Sequence, residues 1–185
     1  MCHYDSMKEH LIEIETHLQE DMLPFALQIE QLNTIYGIST TAPCAIIAEI
    51  GTDMKPFKTA EHICSWAGLC PGNNESAQKR KTGKMRKGNA LLRSTLVVCA
   101  HSATRNKNSY FYAQFMRISS HRGKKRAYVA VAHSMLIAIY HILKDGVVFK
   151  DLGADYYNQF NKERKINAYL KKLKALGWEV PVVAA

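Results

Sequence analysis

No two cysteines of this chain stand in a CxxC pair: Cys2, Cys44, Cys64, Cys70 and Cys99 are scattered and odd in number. That spacing argues against a disulfide framework and fits a reducing, cytoplasmic compartment. A zinc site drawn from His62, Cys64 and Cys70 would lack any such pair, so no metal ligand is assigned. Unbroken apolar runs of about 18 residues are also missing, so no segment is expected to span a bilayer and no membrane partner is expected. The amino terminus, MCHYDSMKEHLIEIE, is polar and acidic and does not read as a secretory signal. Acidic residues are scarce, 16 against 25 Lys and Arg, which leaves a net charge of +9. An imbalance of that size favours a polyanionic partner, with nucleic acid ahead of an anionic membrane surface. Strand-like alternation is absent too. Outside one loop the apolar period is helical, so an all-α fold is expected.

What is present begins with a long seam. Apolar residues recur at Met7, Leu11, Ile14, Leu18, Met22, Phe25, Ile29 and Leu32 in steps of three and four. This predicts a long amphipathic, coiled-coil-like arm over residues 1–33, rich in Glu and divided or kinked at Pro24. Such an arm can join copies of the chain into a homo-oligomer, or pack on its own domain. Residues 34–51, TIYGISTTAPCAIIAEIG, then resemble a helix-hairpin-helix element. In such an element the amides around Gly37, Ser39 and Thr40 and the following helix N-terminus can hold a phosphate. An ordinary αα-hairpin is the plain alternative.

Thr59 reads as the cap of a short helix carrying Trp66, and Asn89 as the cap of a buried helix running to about residue 105. Aromatic residues from Tyr110 to Phe115 and the apolar run at 128–143 supply further core helices, the latter stopped at Asp145-Gly146. A basic tail helix covers about 155–176. The expected organisation is an arm at 1–33, a central helical domain at 34–150 and a basic helical tail at 151–185.

The stretch at 68–93, GLCPGNNESAQKRKTGKMRKGNALLR, departs from this helical pattern. Gly, Pro and Asn open it as a loop. It carries one early serine, Ser76, then Lys79, Arg80, Lys81, Lys84, Arg86 and Lys87 with no acidic residue among them, then Asn89 and Arg93. The plain reading is a solvated basic loop touching nucleic-acid backbone. The chemical one is a hydroxyl that attacks phosphorus beside cations that hold the substrate and stabilise charge. Glu75, His62 and His101 are the nearest residues of base type, and none is placed by spacing alone.

The order of IYGISTTAPCAIIAEIG (35–51), FKTAEHICSWAGLCP (57–71) and ES followed by KTGKMRKGNALLRSTL (81–96), with a weaker echo through 124–146, resembles the carboxy-terminal domain of the IS110, IS116 and IS902 insertion-sequence transposases. These are the DEDD-plus-serine, bridge-RNA-guided recombinases. The resemblance implies that Ser76 is the nucleophile that links covalently to DNA during strand exchange. It implies DNA and a guide RNA as partners, with Lys79, Arg80, Lys81, Lys84, Arg86, Lys87, Asn89, Arg93, Gly37, Ser39 and Thr40 on nucleic acid. Ala77 stands where that family has glycine. The family's RuvC-like domain with four metal-binding carboxylates has no counterpart in these residues. The sequence therefore reads as a fragment, with no cofactor of its own and a divalent metal such as magnesium supplied by the missing domain. Activity is not expected without that domain. A helix-hairpin-helix module that only binds nucleic acid, a degenerate relative of the transposases, is the alternative.

Overall fold

The computed structural model describes residues 2–39, 41–70, 75–76, 79–80, 87–160 and 162–178. Among the described residues the chain is helical apart from one pair of two-residue strands. α1 (Cys2–Met22) ends where Pro24 enters a 3-10 turn (Leu23–Phe25), and α2 (Ala26–Asn33) follows. Proline cannot supply the N–H that a continuous helix needs there, so the seam is divided as its sequence predicts. α3 (Ala42–Ile50) has proline in its first turn and stops at Gly51, whose N–H reaches Ile47 O at 2.8 Å. In α4 (Ala60–Trp66) the Thr59 hydroxyl accepts from His62 N at 3.2 Å. α5 (Ala90–Ala103) and α6 (Tyr110–Arg122) begin in the same way, on the side chains of Asn89 and Ser109. Each of these caps satisfies an amide that a helix start leaves unpaired.

α7 (Lys124–Asp145) is the centre of the domain. Ala127, Val131, Met135, Leu136, Ile139 and Tyr140 are all buried, and the helix packs on α2, α4, α5 and α6. It ends at Gly146, a left-handed residue whose N–H bonds Ile142 O at 2.9 Å. By length and composition α7 would also serve as a membrane span. The sequence reading looked for an unbroken apolar run, and Lys124, Lys125, Arg126, His133 and His141 interrupt this one. In the fold, its apolar side chains are occupied by neighbouring helices.

Gly123 alone joins α6 to α7, with φ 81°. After α7 the chain turns back over the domain. Gln31 Nε2 donates to Gly146 O, Phe149 N donates to Thr34 Oγ1, and the Phe149 ring stacks on Phe111. Asp151 Oδ1 accepts from Tyr110 N at 2.9 Å, and the Tyr157 hydroxyl donates to that of Tyr110 at 2.8 Å. These bonds fasten α8 (Tyr156–Phe160) beside α6. The tail helix expected from sequence is described on both sides of residue 161, as α8 and α9 (Lys162–Ala175), and α9 makes no extensive contact with any other element.

His133 lies where α7 meets α4, its carbonyl accepting from Cys64 Sγ at 3.8 Å. Burial holds the His133 imidazole below its ordinary pKa, against a weaker opposing pull from Glu61. A histidine depressed in the fold binds its proton more readily once unfolded, so its contribution is complete above the unfolded value of about 6.5 and is lost as pH falls through the folded value. Urea unfolding of the wild type is therefore expected to give lower stability at pH 5.5 than at 7.5, with a smaller difference in His133→Gln. Equal slopes in the two proteins would remove His133 as the cause.

Candidate nucleic-acid interface

The basic segment leaves and re-enters the helical domain at one place. α4 is followed by Ala67, Gly68 and Leu69, all buried, with Gly68 N bonded to Ser65 O and Leu69 N to Cys64 O. On the return, the backbone of Gly88 lies directly on that of Gly68. A methyl group at Gly88 would sit 2.6 Å from the Ala67 carbonyl carbon and 2.7 Å from Gly68 Cα. Only glycine permits two chains to approach so closely. Asn89 N donates to Trp66 O at 3.3 Å and closes the neck from the other side.

Asn89 is tied three ways. Its backbone N–H holds α4, its Oδ1 accepts from Leu92 N at 2.9 Å to cap α5, and its Nδ2 donates to Glu49 Oε2 on α3. Three helices thus fix the point at which the chain re-enters the domain after the basic segment. Glu49 was not singled out from the sequence. The available signal was a lone carboxylate on the apolar helix APCAIIAEI, a residue type that stays half-buried when it has a partner.

Between the two sides of the neck, β1 (Glu75–Ser76) pairs antiparallel with β2 (Lys79–Arg80). Ser76 stands opposite Lys79, and Glu75 opposite Arg80. The sequence reading had a plain loop here; alternation over two residues is too short to register as a strand. Backbone pairing places Ser76 beside one predicted phosphate-binding position. Lys87 is exposed beside the neck, and Arg93 is half-buried on the first turn of α5 with its N–H on Asn89 O. Lys81, Lys84, Arg86 and Thr40 lie outside the described residues.

Gly37 and Ser39 stand elsewhere. Gly37, at φ 86°, turns its bare α-carbon onto α5, where an added methyl would lie 2.5 Å from Cys99 O and from Ala103 N. Glu49 at the end of α3 meets Asn89 at the start of α5, so the two helices run antiparallel and Gly37 docks at the far end. A rise of 1.5 Å per residue separates Asn89 from that dock by about 18 Å. Gly37 therefore has a packing reason to be glycine. Ser39 is exposed in the same turn, and its carbonyl accepts from Ala42 N at 3.2 Å.

The candidate bases are dispersed. His101 packs against Tyr128 with ring centroids 5.1 Å apart, again near the far end of α5, and His62 meets the edge of Phe57. Among the described residues no three His, Cys, Asp or Glu side chains are grouped to hold a metal ion, and Glu49 is committed to Asn89. The described residues therefore do not by themselves fit a catalytic divalent ion. Cys64 is buried, and burial together with the nearby Cys70 pushes its thiol up to about 12, which keeps it protonated at neutral pH.

Residues 29–116 match the Transposase IS116/IS110/IS902 family. That span is a little under half of the chain, and over it the chain is similar to this transposase family. The matched span runs from α2 into α6. It takes in the Gly37 turn, α3, α4, the whole basic segment and α5. The weaker likeness expected beyond it, through 124–146, is not part of the match. No curated protein matches the chain.

Proposed function

We propose that this chain carries the serine-bearing, nucleic-acid-binding part of a DNA transposase, with Ser76 as nucleophile. The observation that carries the reading is the neck: the family-matched span holds a cation-rich segment at one point fixed by α3, α4 and α5. Catalysis by electrostatic stabilisation needs such prior fixing, because donors that must be ordered during the reaction lose their advantage. In the proposed step Ser76 Oγ loses its proton and forms a bond to phosphorus, the bond from phosphorus to a deoxyribose oxygen breaks, and that oxygen takes up a proton in turn. The serine is activated from outside the described residues, by the metal-binding domain that the family resemblance implies. Lys79, Arg80, Lys81, Lys84, Arg86, Lys87 and Arg93 hold phosphates. The turn between α2 and α3 acts as a helix-hairpin-helix-like second contact through Ser39 and Thr40. DNA and a guide RNA are the partners, and α1 joins copies of the chain.

The test supplies a metal-binding transposase domain in trans with guide RNA and target DNA. The protein–DNA species that survives denaturation is then measured. Wild type is expected to form the adduct and Ser76→Ala to form none; an equal yield from Ser76→Ala would refute the assignment. Duplex-DNA affinity is expected to fall with salt at a log–log slope of about −5 if six phosphates are neutralised. That slope without any adduct would favour a binding module that has no chemistry. A flat dependence would remove the basic segment from nucleic-acid binding altogether.

A further inference from the structure

Two helices leave apolar stripes uncovered, and their charges are opposite. On α1, Tyr4, Met7, Leu11 and Ile14 follow steps of three and four, and each is more than half exposed. Around them stand six acidic residues and a single lysine, Lys8. On α9, Ile166, Tyr169 and Leu173 form a similar stripe that continues to Leu176, all exposed. That helix has six Lys and Arg residues against one acid, Glu163. A free-standing amphipathic helix of α9's length is marginal in water, since its stability comes from covering its apolar face.

We propose that α1 of one copy packs along α9 of a second copy, stripe on stripe, with the acidic flanks of α1 against the basic flanks of α9. Phosphate could match the charge of α9 but not its Ile, Tyr and Leu face. A second α1 could match the apolar face of α1 but would set acidic flank against acidic flank. Each helix answers both needs of the other. Within one copy the two make no extensive contact. A two-fold axis between two copies satisfies all four helices at once, α1 to α9 and α9 to α1, and closes the assembly at a dimer. The stripes are commensurate: Tyr4 to Ile14 and Ile166 to Leu176 each span ten steps, about 15 Å at helical rise.

This pairing rests on the reading of α1 as the oligomerising arm and names its partner. The test uses the full chain without nucleic acid, in analytical ultracentrifugation at low salt. One variant combines Glu9→Lys, Glu13→Lys and Glu20→Lys. The other combines Lys171→Glu, Lys172→Glu and Lys174→Glu. All six positions are exposed, so neither set disturbs the core. Wild type is expected to be dimeric, and each variant alone to dimerise at least about 100-fold more weakly, because like charges then face each other. An equimolar mixture of the two variants is expected to recover a dimer, since each now offers what the other lacks. If the α9 variant dimerises as wild type does, α1 pairs with α1: the arm reading stands and this pairing is wrong. If the mixture stays monomeric, the pairing between copies is wrong. A monomeric wild type overturns both.

Discussion

Gly88→Ala is expected to destabilise the protein by about 2–4 kcal/mol and to open the neck of the basic segment. The added methyl meets backbone of Ala67 and Gly68 rather than the end of a side chain that could swing aside. Either Gly88 retreats or the turn after α4 does. Both movements pull Asn89 from Trp66 O, and with it the cap of α5 and the hydrogen bond to Glu49. Overpacking by one methyl accounts for about 1–3 kcal/mol, and loss of an asparagine cap for about one more. Gly146→Ala is the control. An added methyl there has open space, so only its left-handed conformation is penalised, by about 1–2 kcal/mol. Urea unfolding ranks the two, and amide exchange at Asn89 reports the neck directly. Should Gly88→Ala keep wild-type stability and a protected Asn89 amide, the glycine contact does not hold the neck.

Gly37→Ala is expected to cost more, about 3–5 kcal/mol, because two penalties act together. Its φ of 86° is unfavourable to any side chain, and the methyl would lie 2.5 Å from Cys99 O and 2.8 Å from Ala103 Cα. Relief requires lifting the turn between α2 and α3 off the last turns of α5, which uncovers the buried Ile35 and Ile38 beside it. In a domain whose whole stability is of the order of 5–15 kcal/mol, that loss is expected to lower the melting temperature by several degrees or to leave little folded protein. A melting temperature within a degree of wild type would show that the turn is not fixed by this contact.

The helices were legible where local chemistry decides them. Proline at 24 divided the seam, Thr59 and Asn89 capped the helices they precede, and Gly146 ended α7. Boundaries failed where polar residues occupy a helical turn. α7 starts at Lys124 rather than near Tyr128, because Lys124, Lys125 and Arg126 face solvent and offer no apolar period to read. The candidate site was legible in composition and not in geometry. Glu49 and Asn89 are forty residues apart in sequence, and Gly68 and Gly88 twenty, so no local pattern joins them. The distance between Gly37 and Asn89 likewise depends on α5 lying along α3, which periodicity does not encode. The hydroxyl and its cations, in contrast, were visible as residue types because they sit together along the chain.

The meeting of Gly68 and Gly88 has an evolutionary side. When a chain departs and returns through the same point, whatever lies between can grow, shrink or change its letters at small entropic penalty, about 0.6 kcal/mol for each doubling in length. The helices beneath experience only the two glycines and one asparagine. The insert can therefore vary in length and sequence while the scaffold beneath it stays unaltered.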